Sequence, residues 1–541
     1  MPLRKQTAEE IAAAIKDGQT LVTVGMTLTG ACEEILTAIE KRFQDTGHPA
    51  QLTLVHGAGQ SDRERGIQHL AHEGLTQRII GSHWGLAPQW MELITDNKVE
   101  AFCLPQGQMM HWYRAMARGE AGLLSRIGLN TFIDPLYQGG KMNDRTMALQ
   151  DTVVERVTFQ DQSYLWYKAV PFDWALIRGT VADVTGNIAA EEEPMKLETL
   201  SVALAAKAFG GRVVTQVKYL VPNGAINARH VIIPGVMVDD VVLTTNVEKY
   251  HRQSSHYLFD ARLSGLVRDN RPSDMTLGLH GADIVRRLIG RRAAWELPMP
   301  AIINLGTGIP NDVVGQVIRE EGLAHDITVT VESGVYGGEP VGGTDFGVAF
   351  NPTALIEHGD QFEFYNGHGV DVTFMGFGEV DRDGNVNSTK FNGRATGAGG
   401  FIDITQRARK VVFCGTFTAR GLSVEVQDGR LHIIQDGSQA KFVEQVQQVS
   451  FNGQQALTNG QEVIVVTERC VLQWTLAGWV LLETAPGITP SDIQAAVPFP
   501  LIVSPRLQTT DPAIYAGPMH LRDHLTCVTG AGKSFRPAMD L

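Results

Sequence analysis

Nothing in this sequence supplies a disulfide framework, a metal centre or a membrane span. Its 541 residues hold five cysteines, Cys32, Cys103, Cys414, Cys470 and Cys527. The number is odd and no two stand at metal-ligand spacing, so no metal site is expected. They read as the reduced thiols of a cytoplasmic protein. No apolar run approaches the roughly 20 residues that a membrane helix needs. Met1-Pro-Leu-Arg-Lys-Gln6 leads into an amphipathic helix and not into a signal-peptide core. Basic side chains are in deficit, 46 against 59 acidic, for a net charge of −13. That balance argues against nucleic acid or an anionic membrane as the main partner. Neither a Walker loop nor Gly-x-Gly-x-x-Gly occurs.

What is present is apolar content and glycine. Hydrophobic residues make up 43% of the chain, enough for packed cores, and the length is too great for one. Thr7-Ala-Glu-Glu10 is a capping-box pattern that opens a helix ending near Asp17-Gly18. The strand Thr20–Val24, the loop Gly25–Gly30, a helix over Ala31–Phe43 and the strand Leu52–Val55 follow, and His56-Gly-Ala-Gly59 turns the chain. The C-terminal half repeats the plan. A helix over Ala282–Arg292 precedes the strand Ala301–Asn304. Then come the loop Gly306–Pro310, a helix over Asp312–Glu320 and a strand ending at Glu332. The interval from Gly30 to His56 equals that from Gly306 to Glu332. Strands alternating with helices predict an α/β fold of two related, open, doubly wound domains. The expected boundaries are 1–270 and 276–541, joined through the turn-rich Asn270-Arg-Pro-Ser-Asp274. His56 is then the N-terminal counterpart of Glu332, so one half alone carries the carboxylate.

Val331-Glu-Ser-Gly-Val-Tyr-Gly-Gly338 is the most informative stretch. A β-rich run stops on a single carboxylate, Glu332, and turns through Gly334, Gly337 and Gly338. Such a turn presents a carboxylate at the mouth of a sheet, where backbone N–H groups and a ligand approach closely. A carboxylate there can attack a carbonyl. A lone Glu-Ser-Gly is otherwise most often a surface acid. Gly397-Ala-Gly-Gly400 is a second glycine loop, suited to an oxyanion hole or, equally, to a tight turn before a helix. The Gly306-Thr-Gly-Ile-Pro310 loop could meet an anion at a helix start or, equally, be a structural strand-to-helix turn. Gln106, after Pro105 at a strand end, could donate into a cleft or hold its own loop. Lys390 and Arg394 are candidates to meet an anionic ligand, with solvated surface charge as the default.

Together these segments resemble the family I CoA-transferases over nearly the whole chain. The resemblance is nearest to the fused, single-chain acetate and propionate enzymes. It is carried by Pro105-Gln-Gly107, Thr131-Phe-Ile-Asp-Pro135 with Gly139-Gly-Lys141, and Asn304-Leu-Gly-Thr-Gly-Ile-Pro310. Glu332-Ser-Gly334 with Gly337-Gly338, Glu379-Val-Asp381 with Gly384-Asn-Val386, and Gly397-Ala-Gly-Gly-Phe401 add to it. Lys441-Phe-Val-Glu-Gln-Val446 and Thr467-Glu-Arg469 complete the order. The resemblance implies the duplicated CoA-transferase fold with the active site between its domains. It implies Glu332 as the nucleophile that becomes a glutamyl-CoA thioester, and Gly399, Gly400 and Gln106 beside the reacting carbonyl. It implies Asn304, Gly306, Thr307, Gly308, Gly397 and Lys390 near CoA. The partners implied are acyl-CoA and small carboxylic acids, with CoA a substrate, no permanently bound cofactor, and a homo-oligomer, a tetramer by analogy. One departure stands out: relatives often carry a proline soon after Glu-x-Gly, where this chain has Val335-Tyr336. An acyl-CoA hydrolase with the same glutamate is the alternative. A ligand-binding protein that kept the fold, or a phosphosugar isomerase of related fold, fits the motifs less well.

Overall fold

A computed structural model describes residues 3–269, 284–391, 393–515 and 519–525. The expected linker Asn270–Asp274 and Cys527 lie outside the described residues. The chain packs as two compact units. One takes Met1–Asn270, Glu332–Glu363 and Thr389–Asp403; the other takes Arg271–Val331, Phe364–Ser388 and Ile404–Leu541.

The first unit is built on an eight-stranded sheet. Its strands are β1 (Arg4–Gln6), β2 (Thr20–Thr23), β3 (Leu52–His56), β4 (Thr76–Gly81), β5 (Glu100–Cys103), β6 (Trp174–Arg178), β7 (Arg212–Val217) and β8 (Asp240–Leu243). Their order is β1-β8-β7-β6-β2-β3-β4-β5, and every neighbouring pair is parallel. Apart from the polar edge strand β1, the strands are mostly buried, as expected of a parallel sheet covered on both faces. Leu21, Leu54, Val55, Ile79, Phe102, Leu176 and Ile177 are fully buried, each worth roughly 1.5–3 kcal/mol relative to exposure. The capping box forms as its residues predict. The Glu10 N–H donates to Thr7 Oγ1 at 3.2 Å and the Thr7 N–H to Glu10 Oε2 at 2.8 Å. The helix Glu33–Thr46 stops at Gly47, whose φ of 76° suits glycine. Strand order reverses between β2 and β6, the place where an open α/β sheet leaves a crevice at its carboxyl ends.

The second unit carries β9 (Ala301–Leu305), β10 (Ile327–Val331), β11 (Val372–Gly376), β12 (Lys410–Cys414), β13 (Glu462–Val466), β14 (Cys470–Thr475), β15 (Gly478–Thr484) and β16 (Ile502–Thr509). They lie in the order β10-β9-β11-β12-β13-β14-β15-β16. Parallel pairing holds from β10 to β13. It gives way to antiparallel pairing at β14, because the connections at 467–469 and 476–477 are too short for a crossover helix. Ile289, Ile303, Phe374 and Val412 are fully buried in its core. The repeated plan is visible locally: β9 and β10 pair parallel across a glycine loop and a helix, as β2 and β3 do. The helix after the loop starts earlier than expected. A wide π-type turn over Pro310–Val314 runs into Gly315–Glu320. Among the described residues no helix is long and apolar enough to cross a membrane.

One polar cluster on the first unit ties the helix Glu33–Thr46 to the short 3-10 helix Gly66–Leu70. His69 Nε2 meets Glu33 Oε1 at 2.7 Å, and its Nδ1 meets Glu40 Oε2 at 2.5 Å. Burial works to lower the His69 pKa, but the hydrogen bonds and charges of Glu33 and Glu40 outweigh it and raise the value to about 9. A folded-state pKa above the unfolded one adds stability at low pH that is lost as the proton leaves. The contribution is therefore complete below the ordinary histidine pKa of about 6.5 and disappears as pH rises through about 9. Urea midpoints measured between those limits should fall with pH, and His69→Gln should flatten that slope.

Candidate active site

Because the strands of the eight-stranded sheet all run one way, the loops after β2, β3, β4 and β5 leave the same edge. The glycine loop Gly397–Gly400 lies along that edge. His83 and Gly397 form a β-bridge. The Trp84 N–H donates to the Thr396 carbonyl at 2.7 Å, the Gly399 N–H to the Ser82 carbonyl at 2.9 Å, and the Gln106 N–H to the Gly399 carbonyl at 3.0 Å. Gly397 has φ of 82°, and a Cβ there would stand 2.4 Å from the Ser82 oxygen, so no other residue fits.

The donors of this loop are mostly taken. Gly397 donates to the Thr389 carbonyl, Ala398 to Cys103 Sγ and Gly399 to Ser82. The Gly400 N–H donates to no group among the described residues. Of the two glycines expected at an oxyanion site, Gly399 has its N–H taken by Ser82 and turns the chain at φ 53°, while the Gly400 N–H is the one left unengaged among the described residues.

Gln106 begins the helix Gln106–Ala117 and is 2% exposed. That helix start is pinned by Asp403, fully buried, which accepts the Gly107 N–H at 3.0 Å and Gln108 Nε2–H at 2.7 Å. Gln106 Nε2 lies 2.8 Å from His358 Nε2. His358 opens the helix His358–Gly367. Arg114, one helix away, holds that start through Glu357, Asp360 and Glu363.

Glu332 follows β10 directly, half-buried in a turn. Ser333 Oγ donates to the Gly347 carbonyl at 2.5 Å. A Cβ on Gly347 would lie 2.6 Å from Met195 Cε and 2.9 Å from Met26 Sδ, which places the Gly25–Gly30 loop after β2 against the same turn. Gly334 has φ of 95°, and its Cβ direction points at the Ile356 carbonyl, 2.3 Å away. The Ile356 N–H donates back to the Gly334 carbonyl at 2.9 Å. Val335–Tyr336 then pairs antiparallel with Ala354–Leu355. The glutamate turn thus rests on the strand that runs into Glu357 and His358, and through His358 it connects to Gln106 and Gly399. The Tyr336 hydroxyl is half-buried; burial raises its pKa, with Gln361 opposing.

Sequence reasoning did not single out His358, Glu198, Ser333 or His83. Their partners lie far away in the chain, and only the fold brings them in. His56, the counterpart of Glu332, is structural: burial lowers its pKa to about 4, and its two nitrogens meet the Ala58 carbonyl and the Trp84 indole N–H. Burial pushes the thiols of Cys32, Cys103 and Cys470 up to about 12, which disfavours the thiolate form that a nucleophile needs. Lys390 Nζ donates to the Met142 carbonyl at 2.9 Å, and burial lowers its pKa. On the second unit Asn304 is fully buried, with Thr330, Tyr365 and Thr373 as partners. Gly306 donates to the Phe374 carbonyl, Thr307 is exposed, and Gly308 has φ of 83°.

A glutamate on a glycine turn, joined through Ile356 and His358 to a buried amide, offers groups that acyl chemistry on a carboxylate would use. Residues 5–244 match the coenzyme A transferase family. The chain is also 39% identical over 517 residues to the caffeate CoA-transferase of Acetobacterium woodii, covering 94% of this chain and 97% of that protein. It belongs to the coenzyme A transferase family and is a CoA-transferase. Over 513 residues it is 37% identical to the acetate CoA-transferase YdiF of Escherichia coli K12, covering 94% of each. The apoenzyme crystal structure of the acyl-CoA transferase YdiF from Escherichia coli O157:H7 matches with a TM-score of 0.88 at 35% identity, over 96% of this chain and 97% of that one. The structure of that enzyme as a thioester complex with CoA matches equally well.

The Gly334 geometry yields a direct test. Alanine there meets the Ile356 carbonyl at 2.3 Å with φ of 95°, so the turn must move. A displacement of about 1 Å at the reacting group can cost roughly 100-fold. Gly334→Ala should lower kcat for CoA transfer by about that factor, while circular dichroism still reports a folded protein.

Proposed function

We propose that the protein transfers CoA between an acyl-CoA and a free carboxylic acid, by a ping-pong route through a glutamyl-CoA thioester on Glu332. The observation that carries this reading is the linkage of the glutamate turn, Gln106 and the Gly400 donor within one compact unit.

A Glu332 oxygen attacks the thioester carbonyl. A C–O bond forms, the C–S bond breaks, and CoA departs as thiolate, leaving an acyl-glutamyl anhydride. The thiolate attacks the glutamyl carbonyl. The anhydride C–O bond breaks, the first acid leaves as its carboxylate, and Glu332 carries CoA. The incoming acid reverses both steps. No proton is gained or lost, so the route needs no general acid or base. One thioester replaces another, so it needs no ATP. Each addition puts negative charge on a carbonyl oxygen. We assign Gly400 N–H and the remaining N–H of Gln106 as its donors; losing one such donor typically costs about 3 kcal/mol. The bound site must keep out water, which would hydrolyse anhydride and thioester alike.

CoA itself enters as substrate. We assign its recognition to Asn304, Gly306, Thr307, Gly308, Gly397 and Lys390, and the acid to the short-chain class of acetate, propionate and butyrate. The relatives are named for acids as different as acetate and caffeate, so the acid panel spans both sizes. Thioester formation is supported by the CoA-thioester complex of the similar YdiF enzyme. The buried, unactivated thiols suit a reducing cytoplasm, where we place the enzyme as a homo-oligomer.

The test is exchange of labelled acids with an acyl-CoA panel. Parallel double-reciprocal lines are expected. Glu332→Ala should abolish transfer with the fold intact, since Glu339 lies beyond two glycines and cannot substitute. Glu332→Asp, shortened by one methylene, should lose roughly 100-fold. Transfer at wild-type rates in Glu332→Ala would overturn the assignment. CoA release independent of any added acid would instead make the protein a hydrolase.

A further inference from the structure

Behind Gln106 stands a second pair of side chains. Gln106, His358 and Glu198 are 2%, 0% and 2% exposed and form one hydrogen-bonded chain. Gln106 Nε2 is 2.8 Å from His358 Nε2, and His358 Nδ1 is 2.7 Å from Glu198 Oε2. Residues 106, 198 and 358 all belong to the first unit.

The chemistry of these atoms fixes the protons. An amide nitrogen only donates, so His358 Nε2 is the acceptor. The ring then carries its proton on Nδ1 and donates it to Glu198. A buried carboxylate in this place selects that tautomer, as a carboxylate does for a metal-bound or catalytic histidine. Glu198 is held there at a local cost. Leu197, just before it, has φ of 54°, a conformation leucine rarely adopts. Among the described residues Glu198 Oε1 has no hydrogen-bond partner, nor has the buried Tyr113 hydroxyl, whose pKa is raised by burial and by the Glu198 charge. Strain and an unsatisfied buried carboxylate oxygen cluster where function holds them in place.

The consequence reaches Gln106. Its oxygen lies on the Gly399 side, 3.6 Å from where a Gly399 Cβ would sit. Its nitrogen keeps one N–H beyond the bond to His358. With the amide turned over, that N–H would be replaced by an oxygen lone pair, which repels a developing oxyanion. We propose that Glu198 and His358 are positioning residues that lock the Gln106 amide in one orientation, so that it offers a donor and not an acceptor to the reacting carbonyl. This rests on the role given to Gln106 in the proposed function. Glu198 and His358 touch no substrate in this scheme; they act through the amide.

Glu198→Gln tests the lock. A neutral amide at 198 both donates and accepts, so either His358 tautomer is allowed and Gln106 can turn. The variant should lose at least tenfold in kcat, with KM for acyl-CoA within about twofold of wild type. In a Gln106→Ala background the same change should cost nothing further, because the amide it orients is gone. Spectra of ¹⁵N-labelled histidine should show His358 protonated at Nδ1 in the wild type and mixed in the variant. Wild-type kcat in Glu198→Gln, an equal loss in the Gln106→Ala background, or a wild-type ring protonated at Nε2 would each overturn the proposal. If Glu198→Gln does not fold, His358→Gln completes the same cycle. A wild-type protein without acid-dependent transfer would defeat the proposed function, whereas the tautomer still reports on the pair.

Discussion

A parallel sheet has a direction, and the site depends on it. In the first unit β2, β3, β4 and β5 run the same way, so the loops that follow them fall on one edge. Those loops supply Met26, Ser82, His83 and Gln106, which between them contact Gly347, Gly397 and Gly399. An antiparallel sheet would have sent alternate loops to the opposite edge. The segments Glu332–Glu363 and Thr389–Asp403, late in sequence, pack into this unit and bring Glu332 and the glycine loop with them.

Polar burial then sets the precision of the arrangement. Asp403, Gln106, His358 and Glu198 are all at most 2% exposed. A buried polar group that loses its partner costs about 1–3 kcal/mol, so each hydrogen bond holds the next in place. Asp403 fixes the helix that starts at Gln106, and Arg114 fixes the helix that starts at His358. The Glu332 turn is bonded at Gly334 to Ile356, just before the second helix begins. Rigid support of this kind suits the proposed reaction, whose groups must meet within fractions of an ångström without a proton transfer to assist it.

Local signals were legible in the sequence because their physics is local. Thr7 and Glu10 form their capping box, β10 ends at the residue before Glu332, and Gly334 and Gly397 occupy positive φ where bulkier residues would collide. The glycine pattern pointed to the Glu332 turn, and the repeat of strand, glycine loop and helix pointed to the fold class. What the sequence hid is long-range. Nothing near Gly399 says that its N–H is taken by Ser82, and nothing near His358 says that it meets Gln106 and Glu198. The antiparallel β14 and β15 depend on short connections that a pattern of alternating strands and helices does not foretell. The resemblance to a known family carried the chemistry further than spacing could, since a lone Glu-Ser-Gly reads as a surface turn.

The central claim is that Glu332 carries CoA as a thioester. The direct measurement is to incubate the enzyme with acyl-CoA and no acceptor acid, add borohydride, and map the peptides. The account predicts permanent inactivation and a modified peptide spanning 327–338, in which the Glu332 carboxyl has become an alcohol. Enzyme treated without acyl-CoA should survive unmodified. Modification at Cys103 or Cys414, or no modification while CoA is turned over, would contradict it.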